Sequence, residues 1–437
     1  MQSNKDWLER SRRAVWHPCT QMKRHETLPI VPIERGDGAW LIDFEGKRYF
    51  DGVSSWWVNL FGHANPRINA AITDQLGKLE HVILAGFTQR PVVELSEQLA
   101  ELTGLGHAFY GSDGASATEI ALKMSFHYWR NQGREAKCEF VSLDNSYHGE
   151  TLGALSVTDV PLFRDTYAPL LRSSHRVTSP DWRLAEAGES PEAYALRAAQ
   201  AVETLFQARA NQIAAIIVEP LCQGAAGMAM YHPAYLARLR QLCDEYEVHL
   251  IADEIAMGFG RTGTMFACEQ AAIKPDFICL SKGITGGYLP LSCVLTRDEI
   301  YAAFYHDDVT RGFLHSHSYT GNALACRAAL EVLSLFRDDA VLQSNLRKGL
   351  DVADLFEQIQ AHPRVRHARH LGMIWAFDVA DAESGFSGRW FEAALAQGLL
   401  VRPVNNTVYI MPPYIASVAE LRQVFNTLLM LLDSGLK

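Results

Sequence analysis

Two short apolar runs, Val248–Ala252 and Phe277–Leu280, each end in charge. The first delivers Asp253 and Glu254, the second delivers Lys282. Short β-branched and aliphatic runs that close in glycine-bearing turns suit buried parallel strands, and the carboxyl ends of such strands carry the chemistry of open α/β sheets. A carboxylate and an amine on two such ends can face one small ring from two sides. Pyridoxal phosphate needs that pair, a lysine for the Schiff base and an acid to keep the pyridine nitrogen protonated. A buried structural ion pair, or two solvated strand ends, leaves the same trace in a sequence.

The surrounding chain repeats the pattern. IAAIIVEP (213–220) reads as a buried strand ending at Glu219, and residues 140–156 read as a strand, a turn carrying Tyr147 and His148, and a helix start. Strand and helix alternate across 105–295, which predicts a parallel sheet wrapped by helices. Residues 33–50 alternate apolar and polar around GDG and EGK turns, as hairpin strands do. Beyond 336 the character changes to a smaller α+β unit. A charged helix is expected near 340–360, strands near 371–379 and 399–411, and a last helix over 417–433.

Composition narrows the function. Of the 437 residues 48% are hydrophobic and 21% charged, enough for a sizeable core. A net charge of −10 without a Lys/Arg run argues against a nucleic-acid partner. The first residues lack the apolar core of a secretion signal, and no apolar run is long enough to span a bilayer. The eight cysteines are scattered, with no CxxC pair, so a reducing, cytoplasmic location is expected. His315 and His317 alternate, but no Cys/His/Asp set completes a metal site, so no metal is expected.

Further stretches bear chemistry-capable residues. The small-residue turn Gly111–Ser116 leads into a predicted helix over 118–129, a seat for phosphate at a helix N-terminus. Tyr147 can stack on a planar ring or simply pack in its turn. Two adjacent tryptophans, Trp56 and Trp57, cannot both enter one face of a strand, so one is expected to line a cavity or a packed subunit surface. Arg402, between an apolar run and Pro403, suits a substrate carboxylate or a surface ion pair.

The segments DEIAMGFGRTG, LSKGITGG, YHGET, IIVEPLCQGAAGM and YTGNALAC occur together and in order. In these the chain resembles the class III pyridoxal-phosphate aminotransferases over nearly its whole length. VWHPCTQM, SSWWVNLFGHANP, MYHPAYL and RPVNNTVYIMPPY narrow the likeness to members that act in biotin synthesis. The resemblance implies a fold-type I α/β architecture. Its large domain would hold a mixed, mostly parallel seven-stranded sheet wrapped by helices, with a small α+β domain drawn from both termini. Residues 1–65 would contribute to the small domain and the active-site entrance, 66–335 would form the cofactor-binding domain, and 336–437 the C-terminal small domain.

It also implies roles. Lys282 would bind the aldehyde of pyridoxal 5'-phosphate, Asp253 would hold the ring nitrogen protonated, and Tyr147 would lie against the ring. Gly114 and Ala115 would seat the phosphate. Ser318, with His317, would reach that phosphate from the neighbouring subunit, making a homodimer with active sites at the interface. Trp56, Ser316, Glu150, Tyr409 and Cys19 would line the substrate pocket, and Arg402 would bind the substrate carboxylate. The implied reaction aminates 8-amino-7-oxononanoate to 7,8-diaminononanoate, with S-adenosylmethionine as the expected donor. Lysine as donor, or another ω-amino acid transamination, is the alternative. The chain departs from the family pattern at Ala115, where serine is usual, at Met257 for threonine, at Glu150 for aspartate, and at Cys19 for tyrosine. The last bears most on the donor.

Overall fold

The computed structural model describes residues 3–437. It contains two compact units, one of residues 3–69 with Gln343–Lys437 and one of Ala70–Leu342.

The larger unit is built on seven strands: β1 (His107–Gly111), β2 (Glu139–Leu143), β3 (His175–Val177), β4 (Ile213–Val218), β5 (His249–Asp253), β6 (Phe277–Leu280) and β7 (Ser292–Thr296). Their order across the sheet is β1-β7-β6-β5-β4-β2-β3. Only β7 runs against its neighbours, so the sheet is mixed and mostly parallel. Every residue of β4, β5 and β6 is buried, as in a parallel sheet covered by helices, Gly114–Asn131 and Ala234–Glu245 among those that pack on it.

Helix α1 (Gly114–Asn131) packs on this sheet through Ala117, Ile120, Ala121 and Met124, the i, i+3, i+4, i+7 stripe of an amphipathic helix. It starts four residues before the predicted Thr118. The cause is Asp113, whose carboxylate accepts from the Ser116 amide at 2.8 Å and the Ser116 hydroxyl at 2.7 Å. An N-cap of this kind contributes about 1 kcal/mol and fixes where the helix begins.

In the smaller unit, the strands Ile33–Asp37, Trp40–Asp43 and Arg48–Asp51 form the expected antiparallel hairpins. A fourth strand, Leu399–Leu400, joins them in parallel, pairing Leu399 with Phe50 and Leu400 with Asp51. A second sheet holds Val365–Leu371, Ile374–Val379 and Thr407–Ile410. The stretch expected as one strand over 399–411 is therefore two. Pro403 cannot donate to a ladder, and Asn405 takes a left-handed φ of 53°, which breaks the run.

Trp56 and Trp57 sit on a turn and point to different surroundings, as two adjacent tryptophans must. Ser54, Ser55, Trp56 and Trp57 all have positive φ, from 46° to 74°. A run of left-handed residues is costly and persists only where contacts over-determine it. Here the Ser54 hydroxyl donates to the Met411 carbonyl at 2.7 Å, and Asp51 accepts from the Ser55 amide and hydroxyl. The turn buries Trp57 and leaves Trp56 46% exposed.

Candidate active site

The parallel register decides which side chains meet in the larger unit. Val218 of β4 lies beside Ala252 of β5, and Asp253 lies beside Cys279 of β6. Glu219, Asp253 and Lys282 therefore leave three neighbouring strands on the same carboxyl edge, where open α/β sheets bind ligands.

Lys282 follows Ser281 into a tight turn and holds φ at 47°. A left-handed lysine costs of order 1 kcal/mol, and the turn is clamped by Ser281 Oγ donating to the Leu291 carbonyl and Thr285 Oγ1 to that of Leu289. Burial lowers the pKa of its amine below the ordinary lysine value, against the pull of the Asp253 and Glu219 carboxylates. A lysine so tuned is a better nucleophile and proton acceptor near neutrality.

Asp253 is buried, with Oδ1 accepting from the Ile255 amide at 3.1 Å and Oδ2 from His148 Nδ1 at 2.6 Å. His148 is itself buried and anchored at both backbone ends. Its amide donates to Thr158 Oγ1 and its carbonyl accepts from Thr118 Oγ1. Its Nε2 is buried with no partner among the described residues. Glu254, the other carboxylate on this strand end, turns away and accepts from the Ala267 and Cys268 amides. The Asp253–Glu254 pair is thereby resolved: Asp253 faces the site edge with His148, while Glu254 is committed to a helix start.

Glu219 accepts from the Tyr147 and Gly224 amides, both at 3.0 Å. Burial pushes its carboxyl up to about 7, with nearby Asp253 adding to the rise against His148 and the two amides. The Tyr147 hydroxyl donates to Glu150 at 2.9 Å, and its ring meets Phe163 edge-on.

The α1 tip completes the set. Asp113 satisfies the Ser116 and Ala117 amides, which leaves those of Gly114 and Ala115, in the first turn, to face a ligand. The tip lies close to the strand edge. A Cβ on Gly114 would stand 2.9 Å from Ile255 Cγ2, and one on Gly149 would stand 2.6 Å from Ala115 Cβ. Gly149 also has φ of 118°, so glycine is required there twice over. An amine, a buried carboxylate with a histidine behind it, and bare helix-tip amides suit a ring carrying a carbonyl, a basic nitrogen and a phosphate. The residues present fit pyridoxal phosphate. Among the described residues no His/Cys/Asp/Glu group could hold a metal ion.

His317 Nδ1 lies 3.0 Å from Ser112 Oγ in the turn before α1, while Ser316 and Ser318 are solvent-exposed. In the smaller unit the Arg402 guanidinium lies over the Trp56 ring, 4.7 Å from its centroid. Both line a 420 Å³ cavity with Cys19, His17 and Arg24. Tyr409 is buried, its hydroxyl accepts from the Trp57 indole at 3.1 Å, and burial pushes its phenol up to about 12. Sequence reasoning placed Glu219 and His148 on strand ends without a task. The register and the 2.6 Å contact provide one. The sequence signal available was that each follows an apolar run.

Residues 21–432 match the family described as Aminotransferase class-III. The chain is 46% identical over 429 residues to the adenosylmethionine-8-amino-7-oxononanoate aminotransferase of Helicobacter pylori, with 96% of each chain covered. The crystal structure of the adenosylmethionine-8-amino-7-oxononanoate aminotransferase from Methanocaldococcus jannaschii is similar at a TM-score of 0.92, with 33% identity and 98% of each chain covered. That of the omega transaminase from Pseudomonas jessenii in complex with PMP gives a TM-score of 0.93, with 27% identity and 98% of each chain covered.

Proposed function

This chain belongs to the class III aminotransferases, and from that premise we propose that it transfers an amino group from S-adenosylmethionine to 8-amino-7-oxononanoate, giving 7,8-diaminononanoate in biotin synthesis. What carries the substrate assignment is the 46% identity, over almost the full length of both chains, to a relative whose name states that reaction. Pyridoxal phosphate, the cofactor of the family, supplies when bound an electron sink conjugated to the amino nitrogen.

The chain's own residues then divide the work. Lys282 would offer the amine that holds the cofactor through its carbonyl carbon. Freed by an incoming substrate amine, Lys282 Nζ, its proton affinity lowered by burial, would act first as the base that takes the proton from the substrate carbon bearing the nitrogen and then, as the ammonium holding that proton, as the acid that delivers it. Asp253, oriented by His148, supports a protonated ring nitrogen. The Gly114 and Ala115 amides hold the phosphate, and Tyr147 borders the ring. Arg402 clamps the acceptor's terminal carboxylate, with Trp56 and Cys19 on the wall of the same cavity.

The working unit is a homodimer in the cytoplasm, with Ser318 reaching the partner's phosphate from a loop that His317 ties to Ser112 of its own chain. Support comes from the exposure of Ser316 and Ser318 beside exposed Leu314 and Tyr319, since large apolar groups clustered at a surface mark association sites. No helix among the described residues is long and apolar enough to cross a membrane.

The backbone alone also suits an ω-amino acid transaminase, since such an enzyme from Thermomicrobium roseum reaches a TM-score of 0.94 at 28% identity. Incubating the holoenzyme with 8-amino-7-oxononanoate and either S-adenosylmethionine or lysine, with mass detection of 7,8-diaminononanoate, tests both readings. Product with S-adenosylmethionine is expected. Product with lysine alone would transfer the donor role to lysine. No product with either, alongside turnover of a simple ω-amino acid, would replace the assignment with the second reading.

A further inference from the structure

The loop that carries Ser316 and Ser318 is held by a continuous line of four side chains that extends the His317–Ser112 contact to α1. Lys123 Nζ lies 2.8 Å from His315 Nδ1. His315 Nε2 lies 3.1 Å from His317 Nε2, and His317 Nδ1 lies 3.0 Å from Ser112 Oγ. Lys123 stands on α1, Ser112 in the turn before it, and the two histidines on the loop.

Donor and acceptor counting leaves one arrangement. A lysine ammonium donates only, so His315 Nδ1 must accept and its proton must sit on Nε2. That Nε2–H then donates to His317 Nε2, which places the His317 proton on Nδ1, facing the serine hydroxyl. The line closes only when both imidazoles are neutral and carry opposite tautomers. A proton added to His315 sets an N–H against the ammonium. One added to His317 sets two Nε2–H groups against each other.

We propose that Lys123 and His315 are positioning residues which lock the 312–320 loop onto the phosphate-seating turn through this polarised line, and that a single added proton unlocks it. The proposal deepens the cofactor reading above and rests on it. Charged and titratable groups reach the line from both α1 and the loop. Lys123 and Glu119 face His315 from α1, and His317 faces it along the loop. Phe109 and Phe313 supply its apolar surroundings. Burial, Lys123 and His317 all lower the His315 pKa, and only Glu119 opposes them. Glu119 is occupied by the Thr151 hydroxyl and the Gly153 amide.

With its pKa lowered, His315 binds fewer protons in the docked loop than in a released one. Docking is therefore favoured above the ordinary histidine pKa of about 6.5 and lost as pH falls below it, by at most tenfold per pH unit for one proton. Lys123 sets this sensitivity. Without its ammonium, His315 can carry Nδ1–H outward and accept at Nε2, so one extra proton breaks nothing.

The test uses the holoenzyme with ¹⁵N-labelled histidine, and equilibrium dialysis against pyridoxal phosphate from pH 5.5 to 8. At pH 8, His315 should show the Nε2–H tautomer and His317 the Nδ1–H tautomer. The wild-type dissociation constant for pyridoxal phosphate should rise several-fold towards pH 5.5, up to the one-proton limit of about tenfold. Lys123→Met should flatten that rise to less than about threefold, and Lys123→Arg should restore it. Like tautomers on the two histidines, or a charged imidazole at pH 8, would overturn the line itself. An equal acid response in Lys123→Met and wild type would overturn the role given to Lys123. The tautomers are read whether or not the cofactor binds, so failure here is distinct from failure of the cofactor assignment.

Discussion

His148 Nδ1 and Asp253 Oδ2 stand 2.6 Å apart, both side chains buried, across a sequence separation of 105 residues. The contact fixes which face of the carboxylate remains for a ligand, since Oδ1 already takes the Ile255 amide. Asp253→Asn should retain pyridoxal phosphate but lower kcat on the order of a thousandfold, the usual scale for one preorganised electrostatic group. His148→Gln, which keeps a donor near Oδ2, should cost about tenfold. Steady-state kinetics decides, and an effect from Glu254→Gln larger than from Asp253→Asn would place the ring nitrogen's partner on the wrong carboxylate.

Lys282→Ala should abolish turnover. Borohydride reduction of the wild type should add the cofactor's mass to the chain at this residue, and leave the variant unmodified. Peptide mass mapping reads the difference, and labelling of another lysine in the wild type would move the assignment.

Glu254 gives a pH signature in stability. Burial raises its carboxyl to about 7 against two amide hydrogen bonds, above the ordinary value near 4.3 of an unfolded chain. The folded state then binds the extra proton. Its stabilising contribution is complete below about pH 4.3 and is lost as pH rises through 7, on the order of 3 kcal/mol in all. Glu254→Gln should flatten the fall in thermal midpoint between pH 5 and 8. An unchanged slope would mean that the carboxyl titrates normally.

Arg402 stacks on Trp56 as well as facing the cavity. Lysine retains the charge but not the flat fork, so Arg402→Lys should raise KM for the oxo acid about tenfold, near 1.4 kcal/mol, with kcat changed less. An unchanged KM would remove the clamp from this residue.

Lys137 is fully buried and donates to the carbonyls of Ala210, Ile213 and Glu247, with its ammonium 4.4 Å from the Trp129 ring centroid. Lys137→Met should lower the unfolding midpoint by the equivalent of about 3 kcal/mol, because buried carbonyls lose their donor. Thermal denaturation reads it directly, and a neutral effect would show that water replaces the amine.

What could be read from the chain alone follows from range. Asp253 and Lys282 were legible because each ends an apolar run, a local pattern that also predicts the parallel sheet. The Lys123–His315 contact spans 192 residues, and no local pattern marks it. The α1 start was misplaced because Gly114 is a weak helix former on propensity, and the Asp113 cap outweighs it. The left-handed backbone of the Trp56–Trp57 turn was not legible, because left-handed serine and tryptophan are rare. The distant Met411 carbonyl and Asp51 help to hold that turn.

The smaller unit's first sheet takes its last strand from Leu399–Leu400, paired with Phe50 and Asp51. A ribosome that has just made Phe50 must add nearly the whole remaining chain before that edge finds its partner. At about 5–20 residues per second this is a wait of roughly 20–70 s. Throughout that wait the hairpins present an open ladder edge, which is a template for pairing with other chains. The nascent N-terminus is thus a natural client for holding chaperones.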